Sequence, residues 1–172
     1  MPDLAPVALE ALRLRITRVF PAQIRAAVEA LDDEQIWWRP NESSNSIGNL
    51  IIHLSGSLNH YLNRNFGAIA YERDRPAEFS ERRQIPRAQL MAIFEDMVSK
   101  GEKTFRALSP ERLAQTSVEP ERYTLVIEDL LSVATHMANH AGQIVWIAKM
   151  LKEGALSEVW MRSHKREGGW KR

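Results

Sequence analysis

Hydrophobic positions recur every three or four residues in four long segments of the chain, which is the spacing of one face of an α-helix. We predict helices from about Ala8 to Leu31, from Ile47 to about Phe66, from Pro86 to about Leu108, and from about Thr124 to Lys152. We find no convincing run that alternates between apolar and polar residues as a strand would. The pattern therefore predicts an all-α fold, a four-helix bundle with long connections.

Local signals refine the ends of these helices. The apolar stripe of the first helix keeps its phase across Pro21, which predicts one kinked helix or two abutting helices. A turn is predicted around Trp37 to Pro40, and either Asn45 or Ser46 caps the second helix. Gly154 is predicted to cap the last helix.

Two connections separate the predicted helices, from Gly67 to Ile85 and from Ser109 to Tyr123. The first is long, which is typical of a functional or mobile segment. Its charged part, Glu72 to Arg83, could bind an anionic substrate, although we favour a solvated face. The predicted domain spans residues 1–157, and residues 158–172 form a basic C-terminal tail, which we expect to be poorly ordered or loosely docked.

Composition and charge narrow the class of protein. The chain has 172 residues, of which 44% are hydrophobic and 26% charged, as in an ordinary single globular domain. The net charge of +1 gives no field that attracts nucleic acid. No signal peptide or membrane-spanning run is evident, so we expect a cytoplasmic protein with no membrane and no nucleic-acid partner. The absence of cysteine excludes disulfides, thiolate metal sites and cysteine nucleophiles.

The predicted fourth helix carries a polar sector although apolar residues surround most of it. At about 100° per residue, one narrow sector contains Asp129, Ser132, His136, His140 and Gln143. A helix that is apolar on nearly all sides is usually buried, so these polar groups need partners. Because His136 and His140 stand one turn apart, both imidazoles can bind one metal ion.

A third ligand is available on the second helix. His53 lies on the flank of its apolar stripe, where a side chain can face a neighbouring helix. His60 follows one heptad later on the same side and competes for this role, although we favour a position at the rim. Histidines four residues apart also occur as surface residues or as core residues bonded to carbonyl groups. His164, in the basic tail, is predicted to be solvated.

Other side chains have two interpretations each. Asp129 could accept a hydrogen bond from a metal ligand, or it could simply oppose the helix dipole. Ser132 and Gln143 are candidates for orienting a ligand or substrate. Trp37 and Trp38 could line a ligand pocket, but we favour a role in closing one end of the bundle. We assign no residue as general acid or base.

Two runs of sequence, Trp37 to Gly56 and His136 to Ile144, resemble the DinB-like superfamily, also called the DinB/YfiT-like metalloenzymes. Within it, the chain is most similar to a bacterial domain family of unknown function. The segment Arg75 to Ser80 fits the same pattern, and the likeness extends from about residue 20 to residue 151. Thr135 departs from the pattern, since an acidic residue often precedes the first histidine of the fourth helix. Similar sequences also often have Gly-Asn where this chain has Gly-Ser at 56–57.

The resemblance implies a four-helix bundle with a three-histidine metal site formed by His53, His136 and His140. It also implies a homodimer, and activities such as metal-dependent thiol transfer, thiol-dependent isomerisation or hydrolysis. Three protein ligands leave coordination positions open, as in catalytic rather than structural sites. Imidazole ligands suit zinc or nickel, our preferred ions, and also iron, copper or manganese.

Three functional hypotheses follow from these observations. The leading one is a divalent-metal-dependent enzyme, a thiol S-transferase or a hydrolase, whose small-molecule substrate could be a low-molecular-weight thiol. The alternative is a non-catalytic helical bundle that binds a metal or a small ligand. The third is a structural bundle in which the histidines only satisfy one another.

Overall fold

The computed structural model describes residues 3–154 and residue 156, and its regular structure is helical. The elements are, in chain order, α1 (Leu4–Leu14), a first π-helical segment (Arg15–Val19), α2 (Phe20–Glu29), α3 (Asp33–Trp37), α4 (Ile47–Leu58), a second π-helical segment (Asn59–Arg64), α5 (Asn65–Gly67), α6 (Arg75–Ser80), α7 (Arg87–Ala107), a 3-10 helix (Pro110–Ala114) and α8 (Val126–Leu151). The described residues contain no strand, only an isolated bridge between Thr116 and Leu125. The predicted all-α class is confirmed.

The first helical stretch runs through Pro21 without a break. The Phe20 N–H donates to the Arg15 carbonyl, five residues back, so the turn before the proline is wider than an α turn. A proline cannot donate to the residue four positions earlier and its ring clashes there, and the wider turn accommodates both effects. Ile16 and Ile24 are both buried, so the apolar stripe keeps its phase across this turn, as predicted.

The second helical stretch begins at a capping box. The Asn49 N–H donates to the Ser46 hydroxyl at 3.1 Å, and in return the Ser46 N–H donates to the Asn49 side-chain oxygen. Of the two predicted caps, Ser46 is therefore the one used. Almost every residue of α4 is buried, since α4 packs against α7 on one side and α6 and α8 on others.

The predicted turn at Trp37 to Pro40 is wrong in part, because Trp37 ends the short helix α3. Asp32 starts this helix by accepting from the Gln35 N–H at 2.8 Å. The Trp37 ring is 7% exposed and fills the space beside Gly48, and its indole N–H donates to the Ile85 carbonyl at 3.0 Å. Trp37 is therefore a core residue and does not line the cavity beside the histidines, whereas a role in closing one end of a bundle stays a prediction.

The two connections are more ordered than the sequence suggested. The first begins at the end of α5 and contains α6, in which the side chain of Glu78 is almost completely buried. The second contains the 3-10 helix, whose Leu113 joins the core. Both segments therefore pack against the long helices and form walls of the molecule, where we had predicted mostly solvated loop for the first.

The last helix ends at Leu151, and Lys152 is the C-cap residue. Gly154 adopts a left-handed conformation, with φ of +73°, two residues later, so it follows the cap and does not form it. The predicted domain boundary at 157 and the basic tail 158–172 lie outside the described residues. None of the described helices has the length and apolar character needed to cross a membrane.

Four long helical stretches enclose the core, and the chain packs α2 against α8 and α4 against α7 and α8. The largest fully buried side chains come from these stretches, from α3 and from the turn between α2 and α3: Phe94, Ile16, Ile24, Leu31, Ile36, Ile47, Ile51, Leu54, Leu58, Leu62, Leu90 and Met97. The assignment to the four-helix-bundle class stays a prediction. For the site, the important contact is that between α4 and α8, because each carries histidines.

Candidate metal centre

Three histidines from two neighbouring helices meet at one point. The His136 Nε2 atom lies 3.0 Å from the His53 Nε2 atom and 3.1 Å from the His140 Nε2 atom. One nitrogen of each ring lies within 4.8 Å of the others, so a single ion can reach all three. The structure therefore brings together the three residues that the sequence analysis selected.

The helices explain this convergence. His136 and His140 are one turn apart on α8, so their rings lie on one face with centroids 4.6 Å apart. His53 is 5% exposed, because α4 is buried on nearly all sides, and its ring meets both others edge-on. An ordinary packing contact between α4 and α8 thus places the third ligand.

The outward-facing nitrogens of two rings determine their tautomers. His53 Nδ1 lies 2.8 Å from a Glu78 carboxylate oxygen, and His140 Nδ1 lies 2.8 Å from the Gln143 Oε1 atom. Arg73 Nη2, which can only donate, also lies 3.3 Å from His53 Nδ1, but the Glu78 contact is the shorter one. Because Glu78 and the Gln143 oxygen are acceptors, we assign the proton of each ring to Nδ1 and a free lone pair to each Nε2. Acceptors that bond the ring nitrogen remote from the ion are the usual partners of metal-binding histidines.

The proton count leaves the inner contacts unsatisfied. His136 Nε2 faces the lone pairs of both His53 and His140, and it can supply at most one proton. At least one of these two short contacts therefore joins two lone pairs. A cation between the three nitrogens removes this conflict. Two nitrogens that bind one tetrahedral zinc ion at about 2.0 to 2.1 Å are about 3.3 Å apart, so the observed separations are close to those that an ion would impose.

Burial keeps His136 and His140 neutral, which is the form that binds a metal. Burial, together with the charges of His140 and His53, lowers the pKa of His136 from 6.5 to about 4. Burial also lowers the pKa of His140, even though the bond to Gln143 acts in the opposite direction. Near neutral pH, His136 and His140 are therefore ready to bind an ion without first losing a proton.

A buried ion pair, formed by Arg73 and Glu78, contacts the Nδ1 atom of His53. Arg73 Nε donates to Glu78 Oε1 at 2.7 Å and Arg73 Nη2 donates to Glu78 Oε2 at 2.8 Å, in a bidentate arrangement. Burial, the largest influence, raises the pKa of Glu78, but the bonds from Arg73 and His53 outweigh it and the net pKa is lowered. The carboxylate that faces His53 is therefore ionised.

The segment that carries Glu78 is fixed to α4. Asp74 caps α6 by accepting from the Ala77 N–H at 3.0 Å. The Asn49 side-chain amide donates to the carbonyls of Glu78 and Glu81, at 3.2 Å each. The Phe79 ring lies 4.6 Å from the ring of His53, between centroids. The same residue that completes the capping box of α4 thus holds α6 beside the histidines.

Most residues from Glu72 to Arg83 are exposed, which agrees with the solvated face that the sequence analysis favoured, but two charged residues depart from it. Arg73 and Glu78 point inward, and sequence reasoning missed both as site residues. A local signal was present: Asp74 followed by Pro76 has the form of a helix start, with a capping side chain and a proline in the first turn. That signal predicts a helix, but it does not predict where the helix docks.

The three histidines line one wall of a cavity of about 690 Å³. Both connections contribute to its other walls. Its polar lining includes Ser57, Tyr61, Asn65, Arg73, Arg75, Glu119, Arg122, Tyr123, Asp129 and Ser132. A cavity of this size, with a few placed polar groups, is typical of a small-molecule site.

Two further residues of the predicted polar sector, Ser132 and Asp129, line the cavity. Ser132 accepts from the Tyr123 hydroxyl at 2.6 Å, inside the cavity lining. Asp129 is 6% exposed and accepts from the Ser117 hydroxyl at 2.9 Å, and none of its described hydrogen bonds reaches a histidine. It lies in the first turn of α8, where a carboxylate opposes the helix dipole, as the other interpretation requires. Burial raises the pKa of Asp129.

His60 does not join the site. It lies outside the three-histidine group, and its Nδ1 atom is 3.2 Å from an Arg64 nitrogen. Burial and the charge of Arg64 lower its pKa. The rim position that we favoured for His60 agrees with these contacts, whereas His164 lies outside the described residues.

The fold and the histidines define a class: an all-α protein with a three-histidine group suited to a metal, open to a cavity. The chain belongs to the DUF1572 family, described as a protein of unknown function, whose family model matches residues 7–163. No curated protein matches the chain.

Proposed function

We propose that this protein is a metal-dependent enzyme that holds a divalent transition-metal ion on His53, His136 and His140 and acts on a small molecule. The carrying observation is the convergence of three Nε2 atoms at the wall of a cavity. The proposal includes membership of the DinB-like superfamily, a four-helix-bundle architecture and a homodimeric state. The preferred reactions are thiol S-transfer and hydrolysis.

The chain's own residues have distinct tasks in this proposal. When bound, a divalent ion supplies Lewis acidity and lowers the pKa of a coordinated thiol or water molecule. His53, His136 and His140 hold the ion, and Gln143 orients His140 through its ring N–H. Because the chain contains no cysteine, sulfur chemistry requires a thiol cosubstrate.

The cavity supports a small polar substrate. Its volume of about 690 Å³ is in the range of small-molecule sites. Arg75 and Arg122 lie in its lining and can bind a negatively charged group of the substrate. Three imidazole donors without a thiolate suit zinc or nickel, with iron or manganese as alternatives.

Metal content tests the proposal directly. Protein purified without a histidine tag should contain near-stoichiometric transition metal by elemental mass spectrometry, either as isolated or after incubation with zinc or nickel. The variant His136→Ala/His140→Ala should contain little. His60→Ala is the matched control and should keep its metal, because His60 lies outside the group. Equal metal in the double variant and the parent would refute the site.

A non-catalytic metal-binding protein is the second candidate, and one observation favours it. Among the described residues, the charged groups within hydrogen-bonding distance of His53 are Glu78 and Arg73, and these two bind each other. Neither is free to transfer a proton to a substrate. Turnover of a thiol and an electrophilic acceptor by the metal-loaded protein, lost in His136→Ala/His140→Ala, would exclude this candidate.

A further inference from the structure

A carboxylate, an arginine and a glycine form one unit beside the metal ligand on α4. The Glu78 carboxylate accepts from the His53 ring at 2.8 Å and from Arg73 at 2.7 and 2.8 Å. Its side chain is 5% exposed, and that of Arg73 is 9% exposed. Hydrogen bonds from His53 on one side and from Arg73 on the other therefore fix the position of the carboxylate.

Gly56 makes this position available. It lies one turn after His53 on α4, and a Cβ atom at Gly56 would be 2.0 Å from Glu78 Oε1 and 2.9 Å from its carboxyl carbon. The carboxylate thus occupies the space of the missing side chain, against the helix that carries His53. A glutamate is flexible, but Arg73 holds this one bidentately, so an added methyl group must push it away from His53.

We propose that Glu78, seated on Gly56 and locked by Arg73, is the positioning residue that sets the metal affinity of the three-histidine site. This inference rests on the proposed metal site and adds a determinant to it. By accepting the His53 ring proton, Glu78 keeps the Nε2 lone pair directed at the other two histidines. Its negative charge also makes the ring a better donor to a cation.

The affinity for zinc, measured by competition with a chelator of known affinity, tests this inference. Glu78→Gln keeps the shape of the side chain and removes its charge. It should raise the Kd for zinc by about tenfold to a hundredfold, the range found for groups that hydrogen-bond to a metal-binding histidine. Gly56→Ala should raise the Kd similarly, although it removes no group from the site. Both variants should also change the visible spectrum of the cobalt-loaded protein, because His53 is reoriented.

Two matched controls separate this effect from general damage. Glu72→Gln changes an exposed carboxylate next to Arg73, and Gly142→Ala adds a methyl group in open space between His140 and Gln143. Both should bind zinc like the parent.

The possible outcomes are distinct. If the parent carries no transition metal as isolated and binds neither zinc nor nickel, the proposed function fails. If the parent binds zinc and Glu78→Gln binds it equally well with an unchanged cobalt spectrum, this inference is overturned and Glu78 is structural. A lower free energy of unfolding of the metal-free variants, with an unchanged Kd, leads to the same rejection.

Discussion

Two arginine–glutamate pairs in this molecule have similar nitrogen–oxygen distances and different surroundings, although Arg13 uses one nitrogen for both oxygens and Arg73 uses two. Arg13 binds both carboxylate oxygens of Glu102, at 2.6 and 2.8 Å, and Arg73 binds both of Glu78, at 2.7 and 2.8 Å. Glu102 also accepts from the Thr17 hydroxyl at 2.8 Å, so that pair ties the first helical stretch to α7. Glu78 instead accepts from a histidine.

The difference that bears on function lies in the third partner of each carboxylate. The partners of Glu102 are structural groups of two packed helices, with side chains of Arg13 and Glu102 that are 16% and 20% exposed. The third partner of Glu78 is His53, whose other ring nitrogen faces the cavity wall. A buried ion pair therefore indicates function only when one of its members also orients a group that can bind a ligand.

The largest effect on stability is expected where the pair is purely structural. Glu102→Ala should lower the free energy of unfolding by about 1 to 2 kcal/mol, because it removes the acceptor that Arg13 and Thr17 share between the two helices. The loss stays moderate because Arg13 keeps its bonds to Glu10 and Thr17 keeps its bond to the Arg13 carbonyl. Urea unfolding measures this loss. Zinc affinity should not change, and a parallel loss of zinc binding would show that the two regions are coupled.

In the metal-free protein, acid should destabilise the histidine site and the Arg13–Glu102 pair at different pH values. The pKa of His136 falls from 6.5 in the unfolded chain to about 4 in the folded one, chiefly through burial. The unfolded chain therefore binds the proton more tightly, and the stability supplied by neutral His136 is complete above about pH 6.5 and is lost as pH falls towards 4. The bonds from Arg13 and Thr17 lower the pKa of Glu102 although burial, the largest influence, raises it, so its contribution is lost only below about pH 4.5.

Thermal unfolding of the metal-free parent between pH 7 and pH 4.5 measures this dependence. His136→Gln should flatten the curve in that range, while Glu102→Gln should leave its slope unchanged and lower it throughout. A parent curve that is flat between pH 6.5 and pH 4.5 would contradict the assignment to the histidines.

The smallest effect is expected at a third, exposed pair. Arg25 binds both oxygens of Glu95, at 2.6 and 2.7 Å, but the two side chains are 40% and 44% exposed. Arg25→Gln should therefore lower the free energy of unfolding by less than about 1 kcal/mol, and added salt should reduce the difference further. A loss equal to that of Glu102→Ala would mean that geometry, and not burial, sets the strength of these pairs.

The sequence predicted what depends on neighbours along the chain. The apolar stripes located the long helices, and the spacing of His136 and His140 placed both rings on one face of α8, since a helix fixes this relation locally. His53 could be proposed because its helix is strongly apolar around it. Ser46 could be named, beside Asn45, because short polar side chains directly before an apolar stripe favour the N-cap position.

What depends on docking could not be predicted. The role of Glu78 follows from the packing of α6 on α4, through side chains 25 or more residues apart in sequence. The role of Trp37 likewise depends on the Ile85 carbonyl, 48 residues away. His60 was a rival ligand under the assumption of an uninterrupted α-helix, but the second π-helical segment begins at Asn59 and changes the turn before it.

The two π-helical segments also have a consequence for comparing this chain with its kin. A π turn holds one residue more than an α turn, so it is a place where a helix absorbs an inserted residue without unwinding. Sequences that lack one residue within 15–19 or 59–64 should therefore be aligned with a gap inside a helix. His53 precedes the second segment, so a gap placed there leaves the alignment of this histidine unchanged. Length differences at these points then correspond to insertions in helices and not in loops.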